Sequence, residues 1–176
     1  QFFDAFELAR KCGFDNINTD LIAGLPTDTP ESFKNSLDSI VRLNAECITV
    51  HTLCMKRASR LTTEGVTLDL QQARDAREML AYTQNILGQN EYIPYYMYRQ
   101  SRMVGNLENV GWSKKGFESL YNVYVMDETH TILACGSGGV TKLKRNNPDY
   151  LERIFNFKYP YEYIDRFDEL IQRKSG

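Results

Sequence analysis

Two short apolar runs flank one well-punctuated helix, and this succession constrains the fold more than any other feature of the chain. Ile17-Asn18-Thr19-Asp20-Leu21-Ile22-Ala23 reads as a strand that ends at Gly24-Leu25-Pro26. Thr29-Pro30-Glu31 then offers a hydroxyl for the N-cap, proline at the first helical position and an acid in the first turn. Phe33, Leu37, Ile40 and Val41 give this helix one apolar face, and Cys47-Ile48-Thr49-Val50-His51-Thr52-Leu53 reads as a second strand. Strand, helix and strand with tight connections make a parallel βαβ unit. Both strands are apolar enough to be expected under cover on two faces, as a parallel sheet requires.

The neighbouring segments extend this α/β reading. Phe2, Ala5, Phe6 and Ala9 mark a helical face over Phe2 to Lys11, which Gly13 closes. Met55 to Leu68 reads as a long loop, and a helix is expected from about residue 69 to 88. Tyr92-Ile93-Pro94-Tyr95-Tyr96-Met97-Tyr98 is strand-like and rich in aromatics, and residues 99–116 read as a Gly/Asn-rich loop. Leu120 to Met126 and Thr131 to Cys135 are expected to form a hairpin through Asp127-Glu128-Thr129-His130. Further strands are expected at Val140 to Leu143 and Ile154 to Phe157. A last helix follows Tyr159-Pro160 and presents Tyr163, Ile164, Phe167, Leu170 and Ile171.

Composition narrows the function classes. The 21 basic and 23 acidic residues nearly cancel, so no strong field points to nucleic acid or to an acidic membrane surface. No run approaches about 18 consecutive apolar residues, which argues against a membrane-spanning helix. The start is amphipathic, with acids where a basic leader would stand, and is not expected to be a signal peptide. A chain that begins inside an element, without an initiator Met or a cap, is expected to be a fragment. Cys12, Cys47, Cys54 and Cys135 lack metal-knuckle or redox-pair spacing. Each is expected to be a small buried hydrophobe in a reduced, cytoplasmic setting.

Several residues could carry chemistry. Asp20 lies inside an apolar run, where a carboxylate must be paired or hydrogen-bonded. It can hold a ribose diol, or it can serve the backbone of the following turn. His51 reads either as a satisfied histidine near the strand mouth or as a metal ligand; no second ligand stands at strand or helical spacing. Arg99 and Arg102 suit bidentate pairing with carboxylates, while Asn106 and Asn109 could equally hold their own loop's backbone. Leu133-Ala134-Cys135-Gly136-Ser137-Gly138-Gly139-Val140-Thr141 permits close approach of a ligand to backbone, or is a plain glycine bulge.

Taken in order, these strings resemble one family. Asp20-Leu21-Ile22-Ala23-Gly24-Leu25-Pro26, with Ala9-Arg10-Lys11-Cys12-Gly13-Phe14 before it, resembles the fifth-strand motif of the radical S-adenosylmethionine oxygen-independent coproporphyrinogen III oxidases. Ile48 to Cys54 stands in the place of that family's sixth strand. Tyr95-Tyr96-Met97-Tyr98-Arg99-Gln100-Ser101-Arg102-Met103-Val104-Gly105-Asn106-Leu107-Glu108-Asn109-Val110-Gly111-Trp112 resembles the loop of its coproporphyrinogen dehydrogenase branch. Gly136 to Thr141 is similar to the family's glycine-rich segment. The resemblance runs from about residue 5 to 172.

The resemblance implies the last strands and helices of an incomplete TIM-like barrel over residues 1–68, and a mixed α+β region over 69–176. It implies S-adenosylmethionine and a [4Fe–4S] cluster as cofactors, with Asp20 on the ribose and the Cys54 and Val140 regions lining the adenosyl site. It places Arg99, Arg102, Asn106 and Asn109 toward a tetrapyrrole substrate. The parent activity would be oxidative decarboxylation of two propionates of coproporphyrinogen III to give protoporphyrinogen IX, through a 5′-deoxyadenosyl radical and an electron donor that the sequence does not identify. The Cys-x-x-x-Cys-x-x-Cys loop that holds the cluster is absent from this chain, so the fragment alone is expected to hold no metal and no catalytic residue, and to be inert. An exposed parallel edge and self-association are also expected. The other function class is a haem carrier of the same family, for which His51, His130, Met55, Met97 or Cys54 could supply an axial ligand.

Overall fold

The computed structural model describes residues 1–54, 70–99, 105, 107–144 and 150–175. The expected Met55–Leu68 loop lies wholly outside them, as do Arg102 and Asn106. The chain forms two compact units, residues 1–118 and 119–176.

In the first unit, α1 (Phe2–Lys11), β1 (Asn18–Ala23), α2 (Pro30–Arg42) and β2 (Cys47–Thr52) follow the expected order. They are joined by α3 (Leu70–Gln89), β3 (Tyr92–Tyr98) and β4 (Asn109–Lys114). The punctuation works locally as the residue types dictate. The Thr29 hydroxyl accepts from the Ser32 N–H, the Ser32 hydroxyl accepts from the Thr29 N–H, and Pro30 opens α2. Gly13, at a φ of +90°, ends α1: its N–H bonds to the Arg10 carbonyl, and that of Phe14 to the Ala9 carbonyl. This pair of bonds is the Schellman closure.

The sheet order is β1-β2-β4-β3. β1 and β2 are parallel, and the remaining pairs are antiparallel. Strands from both sides of the expected 68/69 division thus share one sheet, and the division itself lies outside the described residues. Among the described residues β1 has no neighbour on its outer side, which leaves the expected exposed parallel edge. The other edge, β3, tolerates Pro94 because an edge strand has donors it need not pair. Its register shifts between Pro94 and Tyr96.

One face of this sheet carries the core. Ala23, Ile48, Val50, Tyr92 and Trp112 pack with Phe33, Leu37 and Ile40 of α2 and Met79 and Leu87 of α3. A fully buried side chain of this kind contributes about 1.5–3 kcal/mol. Tyr82 on α3 donates to Asp38 on α2 at 2.7 Å, and Lys34 pairs with Glu78 at 2.6 Å, tying the two helices together.

Several expectations are corrected. β1 is covered on one face only: Thr19, Leu21 and Ala23 point to the helices, while Asn18, Asp20 and Ile22 are exposed. The 99–116 loop contains β4, a strand stabilised by partners on both sides. Of the four cysteines only Cys47 is buried. Cys12, at the C-cap of α1, and Cys135 are exposed, and Cys54 is intermediate. On α1 only Phe6 is buried, and Phe2 and Phe3 remain half exposed.

The second unit comprises α4 (Leu120–Asp127), β5 (Val140–Lys144), β6 (Leu151–Phe155), α5 (Pro160–Asp165) and α6 (Phe167–Ser175). Leu120 to Met126 is therefore helical rather than a strand. Its backbone closes on itself, from Val123 N–H to the Ser119 carbonyl and onward to Glu128, whose φ of +53° ends the helix. The expected hairpin between 120–126 and 131–135 is not formed; Ile132 instead makes an isolated bridge to Lys142 of β5. β5 and β6 form an antiparallel pair. The last helix breaks at Arg166, and only Leu170 of its apolar face is buried.

Candidate functional site

The sheet face opposite the helices is polar. Register places Asp20, Thr49, Gly111 and Tyr96 in one row across all four strands. The next row toward the C-terminal end of β1 contains Ile22 beside His51, and Asn109 beside Tyr98. The shift in β3 matters here. One extra residue turns Tyr96 onto the same face as Asp20, as bulges do near functional sites.

These side chains form a connected network. Asn18 Nδ2 donates to Asp20 Oδ1 at 2.7 Å, and Thr49 Oγ1 donates to Asn18 Oδ1 at 3.1 Å. The Tyr96 hydroxyl is 3.3 Å from Thr49 Oγ1, and its ring lies over Gly111, where a Cβ would collide with it. The Tyr98 ring stacks on that of Tyr96, with centroids 6.3 Å apart and planes 4° from parallel. Its hydroxyl is 3.3 Å from His51 Nδ1, and His51 Nε2 is 3.7 Å from Asp20 Oδ2. Burial is the main influence that raises both phenols above their ordinary pKa, so each keeps its proton as a donor. The Asp20 side chain is 59% exposed. It is an anchored carboxylate that still faces outward, able to accept from a ligand's hydroxyl groups.

No protein-family model matches the chain. It is 36% identical over 171 residues to the oxygen-independent coproporphyrinogen-III oxidase-like protein HemZ of Bacillus subtilis, which covers 97% of this chain and 34% of that protein. The chain belongs to the oxygen-independent coproporphyrinogen III oxidase-like family. It is also 30% identical over 156 residues to the heme chaperone HemW of Lactococcus lactis, covering 84% of this chain and 37% of the relative. The coproporphyrinogen III oxidase HemN of Escherichia coli, a radical SAM enzyme, matches in structure with a TM-score of 0.62 over 96% of this chain and 37% of that one, at 18% identity. The chain thus spans about a third of the length of the proteins it resembles. The fold is mixed α/β, like the corresponding part of that oxidase, with no closed barrel among the described residues.

Within this coproporphyrinogen oxidase-like fold, the expected site residues fall in different places. Asp20 is the third residue of β1, in mid-strand rather than at its end. Cys54 follows β2 by two residues and is partly buried. Val140 begins β5 in the second unit, opposite Phe155. Arg99, just beyond β3, is held by Glu108 at 2.7 Å. Asn109 is buried and its Oδ1 accepts from the Thr52 N–H at 2.7 Å, so it holds backbone. Of the axial-ligand candidates, Met55 lies outside the described residues. Met97 pairs with Val110, on the face away from His51, and His130 stacks on Tyr124 at 4.0 Å in the second unit. Among the described residues no three His, Cys, Asp or Glu side chains gather as a metal site would require.

The sequence singled out neither Asn18 and Thr49 as partners of Asp20 nor Asn156. Asn18 and Thr49 were legible only as strand residues; the period of two puts Asn18 on Asp20's face, but only the register of β1 against β2 brings Thr49 there. Asn156 is buried just after β6, and its Nδ2 donates to the Gly136 carbonyl at 2.7 Å and the Ala134 carbonyl at 3.2 Å. It thereby shapes the glycine loop that leads into Val140, with Gly136 and Gly138 at φ of +87° and +71°.

Proposed function

We propose that this chain supplies the ribose-holding and tetrapyrrole-facing part of an enzyme that oxidatively decarboxylates coproporphyrinogen III to protoporphyrinogen IX. The observation that carries the reading is the Asp20 carboxylate, anchored by Asn18 on the polar sheet face opposite the helices, beside stacked Tyr96 and Tyr98. A carboxylate held in this way suits a vicinal diol, so S-adenosylmethionine fits the residues present. When bound, that cofactor supplies the radical chemistry, and the protein supplies binding and orientation. The described residues offer no set of ligands for a [4Fe–4S] cluster.

On this reading Asp20 accepts from the ribose hydroxyls. Asn18 fixes the carboxylate's rotamer, and the Tyr96–Tyr98 pair offers a flat aromatic wall to a tetrapyrrole. Arg99 serves a propionate only by leaving Glu108. The haem-carrier reading draws support from the similarity to the heme chaperone HemW.

The test uses the full-length protein, reconstituted anaerobically with iron and sulfide and given coproporphyrinogen III, S-adenosylmethionine and a reductant. Loss of two carbon dioxide units coupled to 5′-deoxyadenosine, and abolished by Asp20→Ala, is the expected result. Tight haem binding without decarboxylation would replace this reading with the carrier.

A further inference from the structure

The geometry points to His51 as a second binding group for the ribose, donating from Nε2 to the same hydroxyl whose proton Asp20 accepts. This rests on the reading of Asp20 as the ribose holder and goes beyond it, because a one-residue carboxylate motif does not require a histidine on the adjacent strand.

A chain of hydrogen bonds assigns the imidazole's tautomer. The Thr52 backbone N–H can only donate, so the Asn109 atom 2.7 Å from it is the amide oxygen. Asn109 stands opposite Tyr98 in the β3–β4 pair, so Nδ2 is the amide atom that can donate to the Tyr98 hydroxyl, in keeping with the lowering influence of Asn109 on that phenol. A phenol that accepts there keeps its own proton to give to His51 Nδ1, 3.3 Å away. With Nδ1 accepting, the ring proton of neutral His51 sits on Nε2, facing Asp20. A buried asparagine on β4 thus sets the donor that β2 presents to β1.

The distance between the two groups completes the argument. At 3.7 Å, His51 Nε2 and Asp20 Oδ2 are too far apart for a direct hydrogen bond. An oxygen about 2.8 Å from each can bridge them. A hydroxyl there accepts from Nε2–H and donates to Oδ2, while Asp20 Oδ1 remains held by Asn18. One donor and one acceptor around a shared site match an alcohol, and exclude a carbonyl or ether, which cannot donate to the carboxylate.

The test is calorimetric titration of the full-length protein with S-adenosylmethionine and with its 2′-deoxy and 3′-deoxy analogues. His51→Phe is expected to weaken S-adenosylmethionine about five- to tenfold, the loss of one hydrogen bond. The penalty should vanish with whichever analogue lacks the bridged hydroxyl. Tyr98→Phe keeps the imidazole but removes the proton that fixes its tautomer, and is expected to give a smaller loss with the same dependence on that hydroxyl. An unchanged affinity in both variants, or an equal loss for S-adenosylmethionine and both analogues, overturns the proposal. Asp20→Ala separates the two ideas. If it leaves affinity unchanged, the ribose reading itself falls; if it weakens binding while His51→Phe does not, only the role of His51 falls.

Discussion

Arg10, in the last turn of α1, reaches Glu46 just before β2 and places one guanidinium nitrogen 2.7 Å from both carboxylate oxygens. Glu46 also accepts from the Ile17 N–H at 3.0 Å, so a single buried acid joins a helix end to the starts of both parallel strands. Burial alone would raise this carboxyl, but the bonds from Arg10 and Ile17 outweigh it and hold the pKa below its ordinary value. Glu46→Gln is expected to cost about 1–3 kcal/mol near neutral pH. Because the folded pKa is the lower one, that contribution is complete above the ordinary carboxylate value and fades as the pH falls through the folded value. Denaturant titrations of both proteins should therefore converge in acid. A gap independent of pH would show that the charge is not what matters.

Gly111 is the floor on which Tyr96 rests, and a methyl group there has nowhere to go. Gly111→Ala is expected to cost about 1–3 kcal/mol by overpacking. It should also displace Tyr96 from Thr49, which shows as increased quenching of tyrosine fluorescence by acrylamide. The same substitution at Gly116, where a Cβ meets nothing, lacks the clash and affects only the backbone at a φ of +89°. Full retention of stability by Gly111→Ala would contradict the stacked arrangement.

Asn156 holds two carbonyls of the glycine loop from a buried position. Asn156→Leu removes this donor from both carbonyls, leaving Ala134 with Lys174 Nζ at 2.8 Å and Gly136 with the longer bond from the Gly139 N–H at 3.4 Å, and is expected to cost about 0.5–1.5 kcal/mol. Amide hydrogen exchange of Gly138, whose N–H bonds to the Phe157 carbonyl at 2.8 Å, should accelerate in the variant. Unchanged exchange there would mean that the loop keeps its shape without Asn156.

The thiols should separate into classes. Cys12 and Cys135 are exposed, whereas Cys47 is buried and burial pushes its pKa up to about 11. At pH 8 the thiolate fraction of Cys47 is about a thousandth, before any loss from limited access. Alkylation mapped by mass spectrometry is expected to label Cys12 and Cys135 at least 100-fold faster than Cys47, taken as an order of magnitude. Rapid labelling of Cys47 in the folded chain would refute its placement under Phe117 and Asn16.

Elements with local closing signals were legible in the residues themselves. Thr29-Pro30 and Gly13 each complete their hydrogen bonds within a few residues, so residue type alone predicts the cap. The 70–89 helix follows from its periodicity. β4 was hidden because Asn109-Val110-Gly111-Trp112-Ser113-Lys114 has no strand pattern of its own; β2 and β3 pair with it from both sides. Leu120-Tyr121-Asn122-Val123-Tyr124-Val125-Met126 carries β-favouring residues yet is a helix: among the described residues no strand pairs with it, and the backbone satisfies itself.

The sequence by itself determined the βαβ unit, the position of Asp20 on a strand and the family resemblance, because these depend on short-range periodicity and on contiguous motifs. Only the tertiary structure decided what stands beside Asp20. His51, Asn109 and Tyr98 are separated from it by 31, 89 and 78 positions, and they meet it through strand register and the shift in β3. Register depends on which strands pair and where they slip, a choice made by burying the opposite face against α2 and α3. Local sequence does not contain that choice, which is why His51 read as an isolated histidine until the sheet was assembled.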